Sequence, residues 1–256
     1  MDRSEARLSI AGCPQGWQVH EVQADVRARV VRDLPALTPA LEAEIDALWQ
    51  AAQARTGGVL FNGPVFSVDA ITPHLLSGHL TEFRRIVAQM ERPELHDALL
   101  VRPLAVCGVL ICVDGVVMGR RPARAVYQAS MWQLPPAGSV DTGALRAAGW
   151  LDLQFQLFTE LREELGLPRE SITELRPLSL VEHPGSHVLD LGFLLRTSLE
   201  GRAVLAAHAG FGNAEYQDLH VVPLDALPTR LGALGESLAP SARVFLRQLG
   251  LLDGPG

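Results

Sequence analysis

The 256-residue chain contains no lysine, and its 22 basic side chains are all arginines. This is a mark of coding bias in a GC-rich genome and points to no function. No apolar run reaches the ~20 residues that a membrane-spanning helix needs, because Arg102, Asp114 and Arg120 interrupt and bound the longest one. A membrane-embedded role is therefore not expected. The opening residues, Met-Asp-Arg-Ser-Glu, place acids ahead of any apolar stretch and lack the h-region of a secretion signal, so a cytoplasmic protein is expected. Positive charge is also scarce. A net charge of -7 argues against gripping a nucleic acid, which requires a cationic face to displace counterions. A small phosphate ester bridged by a metal ion stays open to an acidic protein. Only three cysteines occur, Cys13, Cys107 and Cys112; with no CxxC spacing they read as buried thiols. There is no internal repeat and no polar linker.

What is present is enough apolar residue, 48%, to build a substantial core. Residues 39–55 carry Leu41, Ile45, Leu48 and Trp49 at helical spacing, with a stop at Gly57-Gly58. The stretch around Asn62-Gly63-Pro64 suggests a short extended hairpin or two strands, and residues 73–94 suggest an amphipathic helix. From Leu104 to Arg121 a nearly continuous apolar run is broken by Asp114-Gly115, a strong hairpin signal between two buried strands. The Pro- and Gly-rich segment MWQLPPAGSVD argues against regular structure there. A long helix follows, LDLQFQLFTELREELGL, stopped by Gly166 and Pro168. Residues 188–197 and 219–227 read as strands and residues 237–251 as a last helix. Helices mixed with strands and a hairpin predict an α+β sandwich and not a doubly wound parallel sheet.

At about 100° per residue, Glu160, Glu163 and Glu164 share one sector of that long helix, and Leu151, Phe155, Phe158, Leu161 and Leu165 lie opposite. The arrangement predicts one packed face and one carboxylate face. Hard oxygen donors on a rigid helix suit Mg²⁺, with Mn²⁺ as a substitute. Taken alone, the same pattern is better described as a solvated acidic face.

The surrounding residues resolve that choice through a resemblance. Glu160-Leu161-Arg162-Glu163-Glu164-Leu165-Gly166-Leu167 is similar to the second half of the box G-x5-E-x7-R-E-U-x-E-E-x-G-U of the Nudix hydrolases, where U is a bulky aliphatic residue. Upstream, Trp132-Gln133-Leu134-Pro135-Pro136-Ala137-Gly138 resembles the W-x-L-P-G-G entry to the same box. Three departures stand out. Thr159 occupies the box arginine position, the segment from Gly138 to Thr159 is longer than the family's spacing, and Leu151 falls where the first glutamate belongs, leaving Asp141 or Asp152 as substitutes. An interrupted box, a lost arginine and a long N-terminal segment with Leu60-Phe61-Asn62-Gly63-Pro64-Val65-Phe66 resemble the subgroup that splits UDP-glucose and UDP-galactose into UMP and sugar 1-phosphate.

The resemblance implies a Nudix α/β/α sandwich with a mixed sheet over residues 99–256, behind a small N-terminal α/β extension over residues 1–98. It implies a magnesium-dependent pyrophosphohydrolase acting on a small nucleotide substrate, with Glu160, Glu163 and Glu164 as catalytic carboxylates and Glu215 joining them as metal ligands. Arg120, Arg121, Asn62 and Gly138 are the expected substrate contacts, although alternation turns only one of the two arginines toward a cleft. Glu160 is the expected base. Rival readings are a Nudix enzyme for coenzyme A, dinucleotides or nucleoside triphosphates, and a catalytically weak ligand-binding module. Glu182, His183 and His187 have zinc-like spacing on a helix, but Pro184-Gly185 forbids the helix, and a substrate-side loop is expected instead. Trp132 and Tyr127 are expected to pack.

Overall fold

The structure, a computed structural model, describes residues 15–252. Its strands are β1 (Gln18–Glu21), β2 (Arg27–Val30), β3 (Pro64–Ile71), β4 (Leu75–Glu82), β5 (Leu104–Ile111), β6 (Val116–Arg120), β7 (Trp132–Gln133), β8 (Ala137–Ser139), β9 (Trp150–Leu151), β10 (Ile172–Glu182), β11 (Leu189–Thr197) and β12 (Asp218–Val222). Its helices are α1 (Pro39–Thr56), α2 (Phe83–Glu91), α3 (His96–Leu99), α4 (Leu153–Leu165), α5 (Gly201–Phe211), α6 (Leu227–Leu234) and α7 (Pro240–Gln248). None of the described helices is long and apolar enough to cross a membrane.

The larger sheet runs β1-β10-β11-β5-β6-β12, with β7 on β6 and β8 on β5. The β11–β5 pair is parallel and the other pairs are antiparallel, so the sheet is mixed. Alternation along its strands feeds two separate cores. Leu104, Val106 and Leu110 of β5 face Leu157, Leu161 and Leu165 of α4. Val109 and Ile111 face the other way, onto Val244 and Phe245 of α7 and Leu227 of α6. Helices thus cover both faces of the sheet, and the expected α+β sandwich layering is present.

A smaller sheet runs β3-β4-β2-β9, also mixed, with β2 parallel to β4. Its core joins that of α4 through Phe66, Val68 and Leu76. The two sheets exchange strands across residue 98: β1 closes the large sheet against β10, and β9 extends the small one from β2. Chain from both sides of that position therefore builds each sheet.

Local chemistry explains the best-defined helices. Thr38 caps α1 by accepting from Leu41 N at 3.3 Å, Pro39 opens it, and Gly57 ends it at φ 70°. Asp152 caps α4 by accepting from Phe155 N at 2.9 Å, and Gly166 closes it at φ 67°. Asp152 is thus spent on a helix cap, and Asp141 accepts from Gly143 N at 2.7 Å in a similar local turn.

Several expectations are corrected. Residues 75–82 form β4, not the first turns of a helix, because they pair with β3, with Gly78 so close to Ser67 that any Cβ would collide with its carbonyl. Residues around Asn62 form a loop, and the hairpin lies one strand later. The segment expected to be irregular holds β7 and β8, which find partners because β5 and β6 splay apart after Ile111 and Val116. The strand expected over 219–227 stops at Val222, and α6 follows. Strand β10 and helix α5 were not expected. Cys107 is half-buried and Cys112 buried, both free thiols, whereas Cys13 lies outside the described residues.

Candidate active site

The side chains of α4 do not divide into a packed face and an open acidic one. Leu153, Leu157, Leu161 and Leu165 are buried, but so are Gln156 and Glu164 in the neighbouring row, while Phe155 is 46% exposed. The outer phenyl ring carries Arg146 over its face at 4.3 Å. Glu163 is exposed and Glu160 half-buried. The three box glutamates therefore sit at three depths, and only Glu163 fully meets solvent.

Burial of two carboxylates follows from the splay of β5 and β6. The loop between β7 and β8 fills that gap, anchored by Gly108 N donating to Pro136 O at 2.6 Å. It presents backbone to α4: Ala137 N donates to Glu164 Oε2 at 3.0 Å. Tyr216 Oη donates to the same oxygen at 3.2 Å and accepts from Gln133 Nε2 at 2.9 Å. These contacts hold Glu164 in place, yet burial pushes its carboxyl well above the usual range, and Glu160 adds to the rise. One turn earlier, Gln156 Nε2 donates to Glu160 Oε1 at 2.7 Å. Gly138 lies so near that a Cβ there would overlap the Glu160 carboxyl.

Glu160 is pushed up to about 7, first by burial and then by the negative charge of Glu163, Asp141 and Glu215. Three acidic side chains therefore act on Glu160 at this end of α4. Arg121 Nη1 pairs with Glu215 Oε1 at 2.8 Å, and at 18% side-chain exposure it is turned inward. Arg120, at 41%, points out to Asp218 at 3.6 Å, as strand alternation requires. Among the described residues, no three His, Cys, Asp or Glu side chains converge on a common point as a finished metal cluster does. The donor chemistry nevertheless fits a hard cation, since mutual repulsion that lifts Glu160 is what a divalent ion relieves.

The other expected residues fall in different places. Thr159 does not orient a carboxylate, because its hydroxyl donates back to Phe155 O at 2.9 Å. Asn62 is exposed, caps α2 by accepting from Arg84 N at 2.9 Å, and does not line the cavity beside the glutamates. Glu182 is not on a substrate-side loop: it ends β10, buried, and joins His20, Arg102 and His187. Trp132 packs as expected, 7% exposed, whereas Tyr127 lines the cavity. Sequence reasoning missed Gln156, Gln133 and Tyr216. The four-residue spacing of Gln156, Glu160 and Glu164 marks the first of these; nothing local marks the other two.

Gly138→Ala is expected to displace the Glu160 carboxyl and, on the Nudix resemblance, to lower diphosphate hydrolysis by about 10²-fold with little loss of stability. Steady-state rates set beside a thermal melt measure both, and near-normal rates would show that Glu160 need not sit there.

No family model and no curated protein matches the chain. Among solved structures, a MutT Nudix hydrolase from Burkholderia pseudomallei is 18% identical with a TM-score of 0.39, over 57% of this chain and 97% of that one. The Nudix hydrolase RenU from M. smegmatis is 16% identical with a TM-score of 0.39, over 58% and 84%. A bifunctional NMN adenylyltransferase/ADP ribose pyrophosphatase from Francisella tularensis, complexed with AMP and a manganese ion, is 14% identical with a TM-score of 0.43, over 64% and 46%. At such identities and superpositions these likenesses assign no residue a role.

Proposed function

We propose that the protein is a Nudix-type, Mg²⁺-dependent pyrophosphohydrolase whose substrate is a UDP-hexose, split to UMP and hexose 1-phosphate. The observation that carries this reading is the Glu160 carboxyl, held against Gly138 and raised to about 7 amid Glu163, Asp141 and Glu215. Glu160, Glu163, Glu164 and Glu215 would hold the metal. When bound, Mg²⁺ supplies charge neutralisation for the diphosphate and lowers the pKa of water. The protein's own part is to fix the carboxylates and move a proton. Glu160 takes the proton of the attacking water, whose oxygen bonds to phosphorus as the bridging P–O bond breaks. Glu164, braced by Ala137 N–H and Tyr216, keeps the end of α4 in register. Arg121 is the inward cation available to a phosphate once Glu215 is engaged elsewhere. The interrupted box, Thr159 in the arginine position and the N-terminal segment packed beside the cavity support a nucleotide sugar over other diphosphates.

The test is a panel of UDP-glucose, UDP-galactose, coenzyme A, dinucleotides and nucleoside triphosphates with Mg²⁺ or Mn²⁺, products read by mass. UDP-hexoses should be the best substrates, and excess EDTA should abolish turnover. Rapid cleavage of coenzyme A with UDP-hexoses untouched would refute the substrate, and full activity in EDTA would refute the metal. A second reading, a binding module without turnover, draws on the unconverged carboxylates. Saturable binding of UDP-hexose without any cleavage would favour it.

A further inference from the structure

A cavity of ≈ 160 Å³ lies on the α7 side of the large sheet. Phe83, Ile86 and Met90 of α2 line one side of it, and Leu134, Val188 and Phe245 also contribute apolar surface. Its wall nearest the glutamates is the β7–β8 loop. Ala137 and Gly138 border the cavity while also meeting Glu164 and Glu160. Whatever enters is therefore one loop's thickness from the acidic cluster, and Arg121, the partner of Glu215, lines the same space. Pockets that enclose a whole small molecule span ~300–1,000 Å³, so this space takes one end of a substrate and leaves the rest outside.

Within this apolar lining sits a carboxylate that the hydrolytic chemistry does not use. Asp190 of β11 is 5% exposed, yet it borders the cavity. Burial pushes it up to about 6, with Ser241 and the Cys107 thiol donating to it. A buried acid whose neighbours are two neutral donors and the charge of Arg121 has acceptor capacity left for a donor from a ligand.

We infer that this cavity is a recognition pocket for a nitrogen heterocycle, which offers a ring N–H to Asp190 and carries its phosphates out past Arg121. A flat ring presents apolar faces to Phe83 and Phe245 and confines its polar atoms to its edge, which matches a largely apolar space whose polar lining includes Asp190, Tyr127, Gln128 and Gln133. A hexose would bring hydroxyls on every side, and those turned to Phe83, Ile86, Met90 and Phe245 would be stripped of water without partners. A purely apolar group would offer Asp190 no donor beyond Ser241 and Cys107. The base therefore enters the cavity and the sugar stays at the mouth. The inference rests on the proposed hydrolase for the identity of the substrate, and α2 gives the N-terminal part of the chain a share in choosing it.

Direct binding to the full chain separates the two proposals, because it needs no turnover. UMP and GMP carry a ring N–H, while AMP and N3-methyl-UMP do not; each is titrated by calorimetry, alongside glucose 1-phosphate, into wild type and Asp190→Asn. UMP or GMP should bind at least tenfold more tightly than the nucleotides without a ring N–H. Asp190→Asn should reduce that preference severalfold and leave glucose 1-phosphate unchanged. The comparison among ligands needs only wild-type protein, so a poorly folding variant does not remove the test. Equal affinity for UMP, N3-methyl-UMP and AMP would overturn the pocket. So would hydrolysis of UDP-hexoses by a chain whose nucleotide affinity ignores Asp190, and the hydrolase would then stand without it. Asp190-dependent binding with no diphosphate cleaved would uphold the pocket and remove the hydrolase.

Discussion

On the proposed function, Glu160→Gln and Glu164→Gln are each expected to lower turnover of a UDP-hexose by ~10²-fold or more, while raising the melting temperature of the metal-free protein at about pH 8. The two effects share one cause. Both carboxyls are held above their ordinary range by burial and by neighbouring acids, so their charged forms are poorly accommodated in the fold. A carboxyl whose folded pKa is raised favours the fold in its protonated form. That contribution is complete below the ordinary value of ~4.3 and is lost as pH rises through the folded value, about 7 for Glu160. Glutamine imitates the protonated acid at every pH, and its carbonyl can still accept from Ala137 N–H and Tyr216. The variants should therefore keep the fold, gain stability above neutrality and lose the charge that metal and water require. Rates and melts, the latter with chelator present, read out both. A variant that is slow and also less stable than wild type at that pH would assign these residues to structure alone, and near-normal rates would remove them from catalysis.

How far this site could be read from the sequence depends on the range of the interactions. Helices α1 and α4 were visible because their apolar spacing and their glycine stops, Gly57 and Gly166, lie within the helices' own sequence. The β5–β6 hairpin was visible because Asp114-Gly115 marks its turn. Strand β4 was hidden, since what makes residues 75–82 extended is pairing with β3 and the close approach of Gly78 to Ser67. Strand β10 was hidden for a related reason. Its first half is partly exposed, and its second half is buried only because β1 and β11 flank it.

The same division runs through the cleft. The spacing of Glu160, Glu163 and Glu164 could be read locally, but their depths could not, because depth depends on the β7–β8 loop entering a gap between distant strands. Tyr216 reaches Glu164 across 52 positions, and Gln133 reaches Tyr216 across 83. Asp190 looked like one polar residue in a strand, and only the folded sheet sets it beside Cys107 and Ser241. Composition could suggest an acidic site; the contacts that tune it are tertiary.

The largest loss of stability is expected from Glu182→Ala, at about 3 kcal/mol, which lowers the melting temperature by ~6–12 °C in a chain of this size. Glu182 is 5% exposed and holds three partners from separate parts of the chain. Its Oε2 accepts from Arg102 Nη2 at 2.8 Å and lies 3.2 Å from His20 Nε2; its Oε1 lies 3.0 Å from His187 Nδ1. His187 in turn stacks on His96, ring centroids 3.5 Å apart. One carboxylate thus ties β1, the segment leading into β5 and the turn after β10 to the large sheet. Burial alone would raise its pKa, but hydrogen bonds from His20 and Arg102, with the Arg102 charge, hold it far below the usual range. A carboxyl so depressed stabilises the fold above its ordinary value, ~4.3, and that stabilisation drains away as pH falls through the folded value. Removing the side chain leaves the Arg102 charge facing a gap; because Arg102 is 16% exposed and reaches some water, the cost falls at the lower end of the ~3–5 kcal/mol range for a broken buried pair. The difference between wild type and variant should be full at neutral pH and shrink steadily in melts taken below about pH 4. Glu182→Gln, which keeps the shape and an acceptor, should recover part of the loss. A change of under about 2 °C at neutral pH, or a gap that does not narrow in acid, would show that these contacts add little to the stability of the fold.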